Sequence, residues 1–229
     1  MQSNYEFRSI IPGVETLSSR ISMPRHHHDE GYATVVLSGC VTEVSFAGRM
    51  HAGPGDVFLH GRFDCHLDRV HSGRALQILR LPWPHNELEG LYRVADPDSL
   101  VRLAATDARV AAAALHEQIR PCESHTTDWV DEIAETLARG SAFRLQDWAE
   151  RRGLRADAVS RVFRREFGVS PKRFRLEWRT RLAWREIVGS QRSLTEIALS
   201  AGFSDLAHLS RSINAFTGRC PRAWRTKAS

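Results

Sequence analysis

The chain has 229 residues, 42% of them hydrophobic and 26% charged, a composition typical of a globular protein with one large domain or two ordinary ones. No apolar run approaches the roughly 20 residues of a membrane-spanning helix. The first ten residues also lack the basic and apolar segments of a signal peptide, so we expect a cytoplasmic protein without a membrane partner. The net charge of +5 is unevenly divided: residues 141–229 carry 19 Lys and Arg against 8 Asp and Glu, and residues 1–140 carry 13 against 19. A basic C-terminal third suggests a polyanion-binding segment attached to a second domain.

Residues 14–82 have the pattern of short β-strands separated by glycine-containing turns, with runs such as YATVVLSG, CVTEVSF, GDVFLHG and ALQILRL. Closely spaced strands of this kind predict a small antiparallel barrel or sandwich. The four cysteines are scattered and form no C-x-x-C pair, so we expect reduced thiols rather than disulfides.

The segment SMPRHHHDEGY, residues 22–32, holds three histidines and two carboxylates, which raises the question of a metal site. His26 and His28 lie two residues apart, so an extended strand would place them on one face, with His27 pointing outward. The order HHHDEGYATVVLSG followed by AGPGDVFLHGRFDCHL resembles the two motifs of cupin domains. This resemblance implies that His66 joins His26 and His28 across the barrel, and three neutral imidazoles suit zinc, iron, copper or nickel.

The same stretch departs from the metal-binding form of the motif. Cupin enzymes carry a glutamate about four residues after the second histidine, where this chain has Tyr32, and the spacing of Glu30 is wrong for a replacement. We therefore favour a pocket-rim or surface position for His26, His28 and His66, without a cofactor, over a metal site formed by the same histidines. The cupin resemblance implies that the pocket would hold a small effector. The other histidines of this region stand alone in the sequence and receive no role: His51, His60 and His71.

Two segments with helical spacing, residues 98–120 and 125–140, follow the β-region and are predicted to be linker helices starting at about residue 99. They either pack against the barrel or form a dimer contact. Three residues are suited to cap the second helix: Thr126, Thr127 and Asp128. The predicted domain boundary lies between Gly140 and Ser141.

The basic third contains an internal repeat. Three positions recur 49 residues later: Leu145, Ala149 and Gly153 correspond to Leu194, Ala198 and Gly202. Five positions recur 50 residues later: Ser160, Arg161, Gly168, Pro171 and Arg175 correspond to Ser210, Arg211, Gly218, Pro221 and Arg225. Each unit, 145–168 and 194–218, has the pattern of a short helix, a glycine turn and a longer helix, and a helical stretch from about Phe174 to Val188 joins them. This is the helix-turn-helix pattern, whose second helix enters the DNA major groove.

Residues 141–229 resemble the DNA-binding domain of the AraC/XylS family of bacterial transcription regulators. The resemblance rests on IALSAGFSDLAHLSR, on VSRVFRREFGVSPKRF and on the G-x-x-P-x-x-x-R that closes both units. It implies an α+β chain of two domains: a cupin-like β-barrel with linker helices in residues 1–140, then an all-α, homeodomain-like tandem helix-turn-helix.

The function implied by the resemblance is that of a transcription regulator which is not an enzyme and which a small-molecule effector controls. Its partners would be double-stranded DNA, a second copy of the chain in a homodimer, and RNA polymerase if it activates. The alternative is a metal-dependent cupin enzyme or metal sensor fused to a DNA-binding module.

The same resemblance locates the DNA contacts on the second helix of each unit. The residues that would face bases are Asp157, Ser160, Arg161, Leu206, Ala207, Ser210 and Arg211. Those that would contact phosphates are Arg164, Arg165 and His208. Because arginine pairs bidentately with guanine, Arg161 is predicted to read a guanine. Leu206 and Ala207 have no hydrogen-bonding side-chain atoms, so the second unit should read DNA less selectively, with Leu206 either on a thymine methyl or turned inward.

Overall fold

The computed structural model describes residues 10–71, 73–85, 87–122, 128–139 and 143–225. Its contacts divide the chain into two compact units, the N-terminal one mostly from residues before Ile133 and the C-terminal one mostly from Ile133 onward. The predicted boundary between Gly140 and Ser141 lies outside the described residues.

The N-terminal unit contains two antiparallel sheets. The first has the strand order β1 (Gly13–Leu17), β8 (Leu76–Pro82), β3 (Tyr32–Ser38), β6 (Asp56–His60), β9 (Gly90–Arg93) and β10 (Arg120–Pro121). The second has the order β2 (Ser22–His26), β7 (His66–Val70), β4 (Val41–Ser45) and β5 (Gly48–Ala52). These sheets are the walls of the predicted barrel.

Alternating side chains on the first sheet pack on opposite faces, as the period of two in a β-strand requires. On β3, Ala33 and Val35 belong to an apolar cluster that includes Leu100 and Leu115 of the helices that follow the barrel. Val36 belongs to a second cluster, which joins the two sheets and contains Val41, Met50, Phe58, Leu76 and Ile78. One face of the sheet therefore packs against helices, and the other faces the barrel interior.

The first predicted linker helix is two helices, α1 (Pro97–Ala104) and α2 (Ala108–Gln118). Asp107 separates them because its side chain accepts a hydrogen bond from the backbone N–H of Arg109 at 2.7 Å and so begins a new helix. Both helices pack on the barrel, as one of the two alternatives predicts.

The next helix, α3 (Trp129–Ala138), is capped by Asp128, which accepts from the backbone N–H of Val130 at 2.8 Å. The other two cap candidates, Thr126 and Thr127, lie outside the described residues.

The helices of the C-terminal unit are α4 (Leu145–Glu150), α5 (Ala156–Phe167), α6 (Pro171–Gly189), α7 (Leu194–Ser200), α8 (Leu206–Thr217) and α9 (Pro221–Arg225). The repeat predicted from the sequence is present in the backbone. Gly153 and Gly202 both have positive φ, 64° and 74°, in the turn after the first helix of each unit. In that turn the N–H of Leu154 bonds the carbonyl of Ala149 at 2.9 Å, and the N–H of Phe203 bonds that of Ala198 at 2.8 Å. The two units are thus the same structure used twice.

The predicted fold class, an α+β chain with an N-terminal β-domain and a C-terminal tandem helix-turn-helix, is confirmed. Cys40, Cys65, Cys122 and Cys220 are free thiols, as expected. Within the described ranges, no helix combines the length and the apolar character needed to cross a membrane.

Candidate effector pocket and DNA-binding surface

A cavity of about 230 Å³ lies between the two sheets of the barrel. Its apolar wall includes Val41, Phe58, Leu76 and Ile78. Its polar wall includes His26, His28, Tyr32, Glu43, His60, His66 and Asp68. A mostly enclosed site with apolar and polar walls is the usual construction of a small-ligand pocket.

The structure brings together the three histidines that the cupin-like motifs indicated. His26 and His66 are cross-strand partners on β2 and β7, with ring centroids 4.4 Å apart. The ring of His28 stacks on that of His66 at 5.7 Å, and one ring nitrogen of each histidine lies within 4.8 Å of the others. Glu30 is exposed and does not join them.

His27 points away from the cavity, as predicted, because His26 and His28 line the cavity and His27 does not. It does not reach solvent: its side chain is fully buried, with Nδ1 3.6 Å from the Sγ of Cys65 and the ring against Phe63. The side of the chain that faces away from the cavity is therefore covered at this residue.

Hydrogen bonds fix which nitrogen of His66 carries its proton. Nδ1 lies 3.1 Å from the carbonyl oxygen of Asp64, which can only accept, so Nδ1 donates. Burial, and then the nearby imidazoles of His60, His26 and His28, hold the pKa of His66 well below its usual value, so the ring is neutral. Its Nε2 lone pair therefore accepts from the hydroxyl of Tyr32 at 2.9 Å.

This arrangement bears on whether the three histidines can hold a metal ion. Tyr32 occupies the position of the glutamate in cupin enzymes, and its hydroxyl binds the nitrogen that His66 would offer to a metal. Burial, followed by the charges of Asp68 and Glu43, raises the pKa of Tyr32 well above its usual value, so the phenol keeps its proton. The three histidines are close enough to hold an ion, but both nitrogens of His66 are engaged, and the residues present do not fit a metal without displacement of Tyr32.

His60, which received no role in the sequence analysis, is a central residue of the polar wall. Its Nε2 lies 3.2 Å from Glu43 and its Nδ1 lies 3.4 Å from Asp64, and all three side chains are buried. We call these three residues the barrel cluster. Burial alone would lower the pKa of His60, but the two carboxylates outweigh it and raise the pKa to about 10. His60 is therefore a cation at neutral pH.

Asp68 also lies on the polar wall. It is the cross-strand partner of Glu43, and its side chain is 9% exposed. Burial, and then the charge of Glu43, raise the pKa of Asp68 to about 7. Nearer the surface, Arg80 pairs with Glu15 at 3.3 Å.

On the first recognition helix, α5, Asp157 and Arg161 are both exposed and are bonded to each other, with Nη1 of Arg161 2.9 Å from Oδ2 of Asp157. Arg155, which sequence reasoning did not select, also donates to Asp157, at 3.1 Å. The only feature of the sequence that could have indicated this role is the position of Arg155 directly before the predicted recognition helix. These bonds, that from Arg155 foremost, lower the pKa of Asp157 to about 2. Ser160 is half-buried, whereas Arg164 and Arg165 are exposed.

On the second recognition helix, α8, the exposed positions include Leu206, Ala207 and Arg211. Leu206 is 36% exposed while Leu209 is fully buried, so Leu206 does not turn inward. Ser210 and His208 are half-buried, and Nδ1 of His208 lies 3.1 Å from the hydroxyl of Ser204. The second surface therefore has fewer fully exposed hydrogen-bonding groups than the first.

Residues 148–227 match a family model described as a helix-turn-helix domain. This part of the chain is a helix-turn-helix domain, and it contains nearly all of both units of the repeat predicted from the sequence. A comparison with curated proteins found no match.

Several solved structures are similar to the chain. An AraC-type transcriptional regulator from Chromobacterium violaceum is 22% identical over 44% of this chain and 91% of that one, with a TM-score of 0.40. ToxT from Vibrio cholerae O395 is 10% identical over 96% of this chain and 98% of that one, with a TM-score of 0.42. A structure of ToxT from Vibrio cholerae strain SCE256 with a bound unsaturated fatty acid is 11% identical over 94% of both chains, with a TM-score of 0.40. With identities and TM-scores this low, no part of the assignment depends on these likenesses.

Proposed function

We propose that the chain is a DNA-binding transcription regulator and that a small molecule bound in the barrel cavity controls how it acts on its target DNA. The observation that carries this proposal is the cavity itself: an enclosed space between two sheets, with buried histidines, a tyrosine and carboxylates on one wall. A few convergent polar side chains in an otherwise apolar cavity are the usual means by which a protein orients a small ligand.

The proposal assigns effector binding to residues 1–140 and DNA binding to residues 141–229. The protein acts in the cytoplasm as a regulator rather than as an enzyme. A homodimer through the linker helices would pair two such DNA-binding domains, and RNA polymerase is a further partner if the protein activates transcription.

We further propose that Arg161 reads a guanine from the first recognition helix. The exposed guanidinium lies one turn along α5 from Asp157, which holds it by a 2.9 Å bond. Ser160, Leu206, Ala207, Ser210 and Arg211 complete the base-facing set. Arg164, Arg165 and His208 contact phosphates, and the bonds of Asp157 to two arginines make it a positioning residue for Arg161 rather than an independent reader.

A footprint of the full-length protein on DNA selected from a random library tests both parts of the proposal. Two linked recognition helices should protect about two helical turns, since successive major grooves lie about 34 Å apart, and binding should weaken steeply with salt. An effector should change the footprint or its concentration dependence. A single short protected patch, or salt-independent binding, would contradict the tandem arrangement.

A second candidate function, a metal sensor or metal-dependent enzyme, is favoured by one observation, the proximity of His26, His28 and His66. Metal analysis of protein purified without a nickel resin separates the two candidates. A metalloprotein of this kind should carry about one ion per chain after dialysis, whereas the effector proposal expects far less than one.

A further inference from the structure

We propose that the ligand of the barrel cavity is a small organic cation, an amine whose head group lies against Asp68 and Glu43 and whose apolar body lies against Phe58 and Ile78. The inference rests on the proposed effector role of the cavity and names the chemical class of the effector.

Two carboxylates lie opposite each other on neighbouring strands of the second sheet. Glu43 on β4 and Asp68 on β7 are directly paired across the second sheet, and both line the cavity. Their side chains are 2% and 9% exposed, respectively. Like charges directly opposite each other destabilise a sheet, and burial increases the repulsion. The cost is smallest when a positive charge lies between the two carboxylates.

The chain itself provides two cations at the cavity, His60 and Arg80. His60 supplies one, but it lies between Glu43 and Asp64. Arg80 supplies another: its Nη1 lies 3.3 Å from Glu15, while its buried Nε has no hydrogen-bond partner among the described residues. Within the part of the chain that the structure describes, no group donates a hydrogen bond to the carboxylate of Asp68. A nine-tenths buried carboxylate that lines the cavity without a hydrogen bond is a site for a donor that arrives with the ligand.

The polar groups, apolar wall and volume of the cavity limit the class of ligand that it can bind. Glu43 and Asp68 favour a cationic head group over an anionic one, since an ammonium group stabilises an ionised carboxylate beside it and an anion does not. A metal ion is disfavoured because the Nε2 of His66 is bound to Tyr32. The apolar wall requires a hydrophobic body on the ligand, and about 230 Å³ limits it to a molecule smaller than typical drug-sized ligands, whose pockets span roughly 300–1,000 Å³.

The experiment uses the full-length protein and matched probes with one apolar body and different head groups. Phenethylamine, 3-phenylpropanoate and 2-phenylethanol supply a cation, an anion and a neutral hydroxyl, and propylamine and butylamine test a smaller body. Binding is measured by calorimetry and by thermal stability, with and without a chelator. We expect an amine to bind and stabilise the protein independently of the chelator, while the carboxylate and the alcohol bind at least about tenfold more weakly.

The discriminating variant is Asp68→Asn, which keeps the shape of the side chain and removes its charge. We expect amine affinity to fall about ten- to hundredfold, because a charge-assisted hydrogen bond is lost. The ligand-free variant should be more thermostable than the parent because the repulsion with Glu43 is relieved. The matched control is Glu30→Gln, an exposed carboxylate of the same region outside the cavity, and it should change neither quantity.

Four outcomes would overturn the inference: equal or tighter binding of the carboxylate, no binding by any amine at millimolar concentration, binding that requires a metal ion, or unchanged amine affinity in Asp68→Asn. Its failure can be told apart from failure of the proposed function. If an anionic or neutral probe binds and alters the DNA footprint, effector control stands and the cation assignment fails. If an amine binds through Asp68 without any effect on the footprint, the cation assignment stands and effector control fails.

Discussion

Charged side chains form similar pairs inside the barrel and on the first recognition helix, but their surroundings differ. In the barrel cluster, His60 lies between Glu43 and Asp64, and all three are buried. On α5, Arg161 pairs with Asp157 at a similar distance in contact with water. Breaking a buried pair leaves an uncompensated charge and costs several kcal/mol, whereas an exposed pair contributes little to stability. The charges of the barrel should therefore determine stability and ligand choice, and those of α5 should determine DNA specificity.

The largest expected effect is on the barrel cluster. His60→Ala should lower the free energy of unfolding by about 3–5 kcal/mol, because Glu43 and Asp64 lose the cation between them. Urea unfolding followed by circular dichroism measures the change. The control is Arg161→Ala, which should change stability by no more than about 0.5 kcal/mol. Equal losses in the two variants would remove the distinction between the two regions.

The barrel cluster should also make stability depend on pH. The pKa of His60 is raised from 6.5 to about 10 on folding, so the folded state holds a proton that the unfolded state releases. The stability from this proton is fully present below pH 6.5 and is lost as the pH rises towards 10. Unfolding curves at pH 6, 8 and 10 should show that decline in the parent and a flatter profile in His60→Gln. A parallel decline in both proteins would assign the effect to other groups.

On the DNA-binding side, Arg161→Ala should cost about 1–3 kcal/mol of binding free energy on the selected site and relax the preference at one base pair. The control is Arg165→Ala, at an exposed position four residues further along α5. It should weaken the binding of cognate and random DNA alike and reduce the salt dependence of binding. Gel-shift titrations on both kinds of DNA measure these constants. Arg161 is not a base reader if its removal weakens both DNAs equally.

Tyr32→Phe should raise the affinity of the three histidines in the barrel for a metal ion. Removal of the hydroxyl frees the Nε2 of His66, so zinc should bind at least about tenfold more tightly than in the parent. Calorimetry with zinc chloride gives the two affinities. The control is Tyr92→Phe, a tyrosine on β9 outside the residues that line the cavity. Unchanged zinc affinity in Tyr32→Phe would show that the hydroxyl is not what keeps the three histidines from a metal.

The smallest effect expected is an inequality between the two DNA half-sites. Leu206 and Ala207 are exposed where the second helix begins, and neither can donate or accept a hydrogen bond through its side chain. Selection from a random library should give more sequence information under the first unit, with the second half-site degenerate or T-rich. Equal information in both halves would contradict this reading.

The helix-turn-helix units could be predicted from the sequence more completely than the site in the barrel. The tandem helices were predictable because Gly153, Gly202 and the apolar stripes are local signals that recur at a fixed offset. The grouping of His26, His28 and His66 came from the motif resemblance. The role of His60 could not be predicted, because it depends on Glu43 in the opposite sheet, and only the packing of the two sheets brings these residues together. The burial of His27 could not be predicted either, because the residues that cover it, Phe63 and Cys65, are distant in the sequence.

The first sheet is a wall one residue thick between the cavity and the linker helices. On β8, Ile78 and Arg80 line the cavity, while Leu79 and Leu81, their immediate neighbours, pack in the cluster that contains Leu115 of α2. A bound molecule that changes the backbone position of β8 by a fraction of an ångström moves the neighbouring side chains with it, since packed interiors deform little. Hydrogen exchange at the backbone amides of α2 should therefore report whether the barrel is occupied, although no residue of that helix touches the cavity.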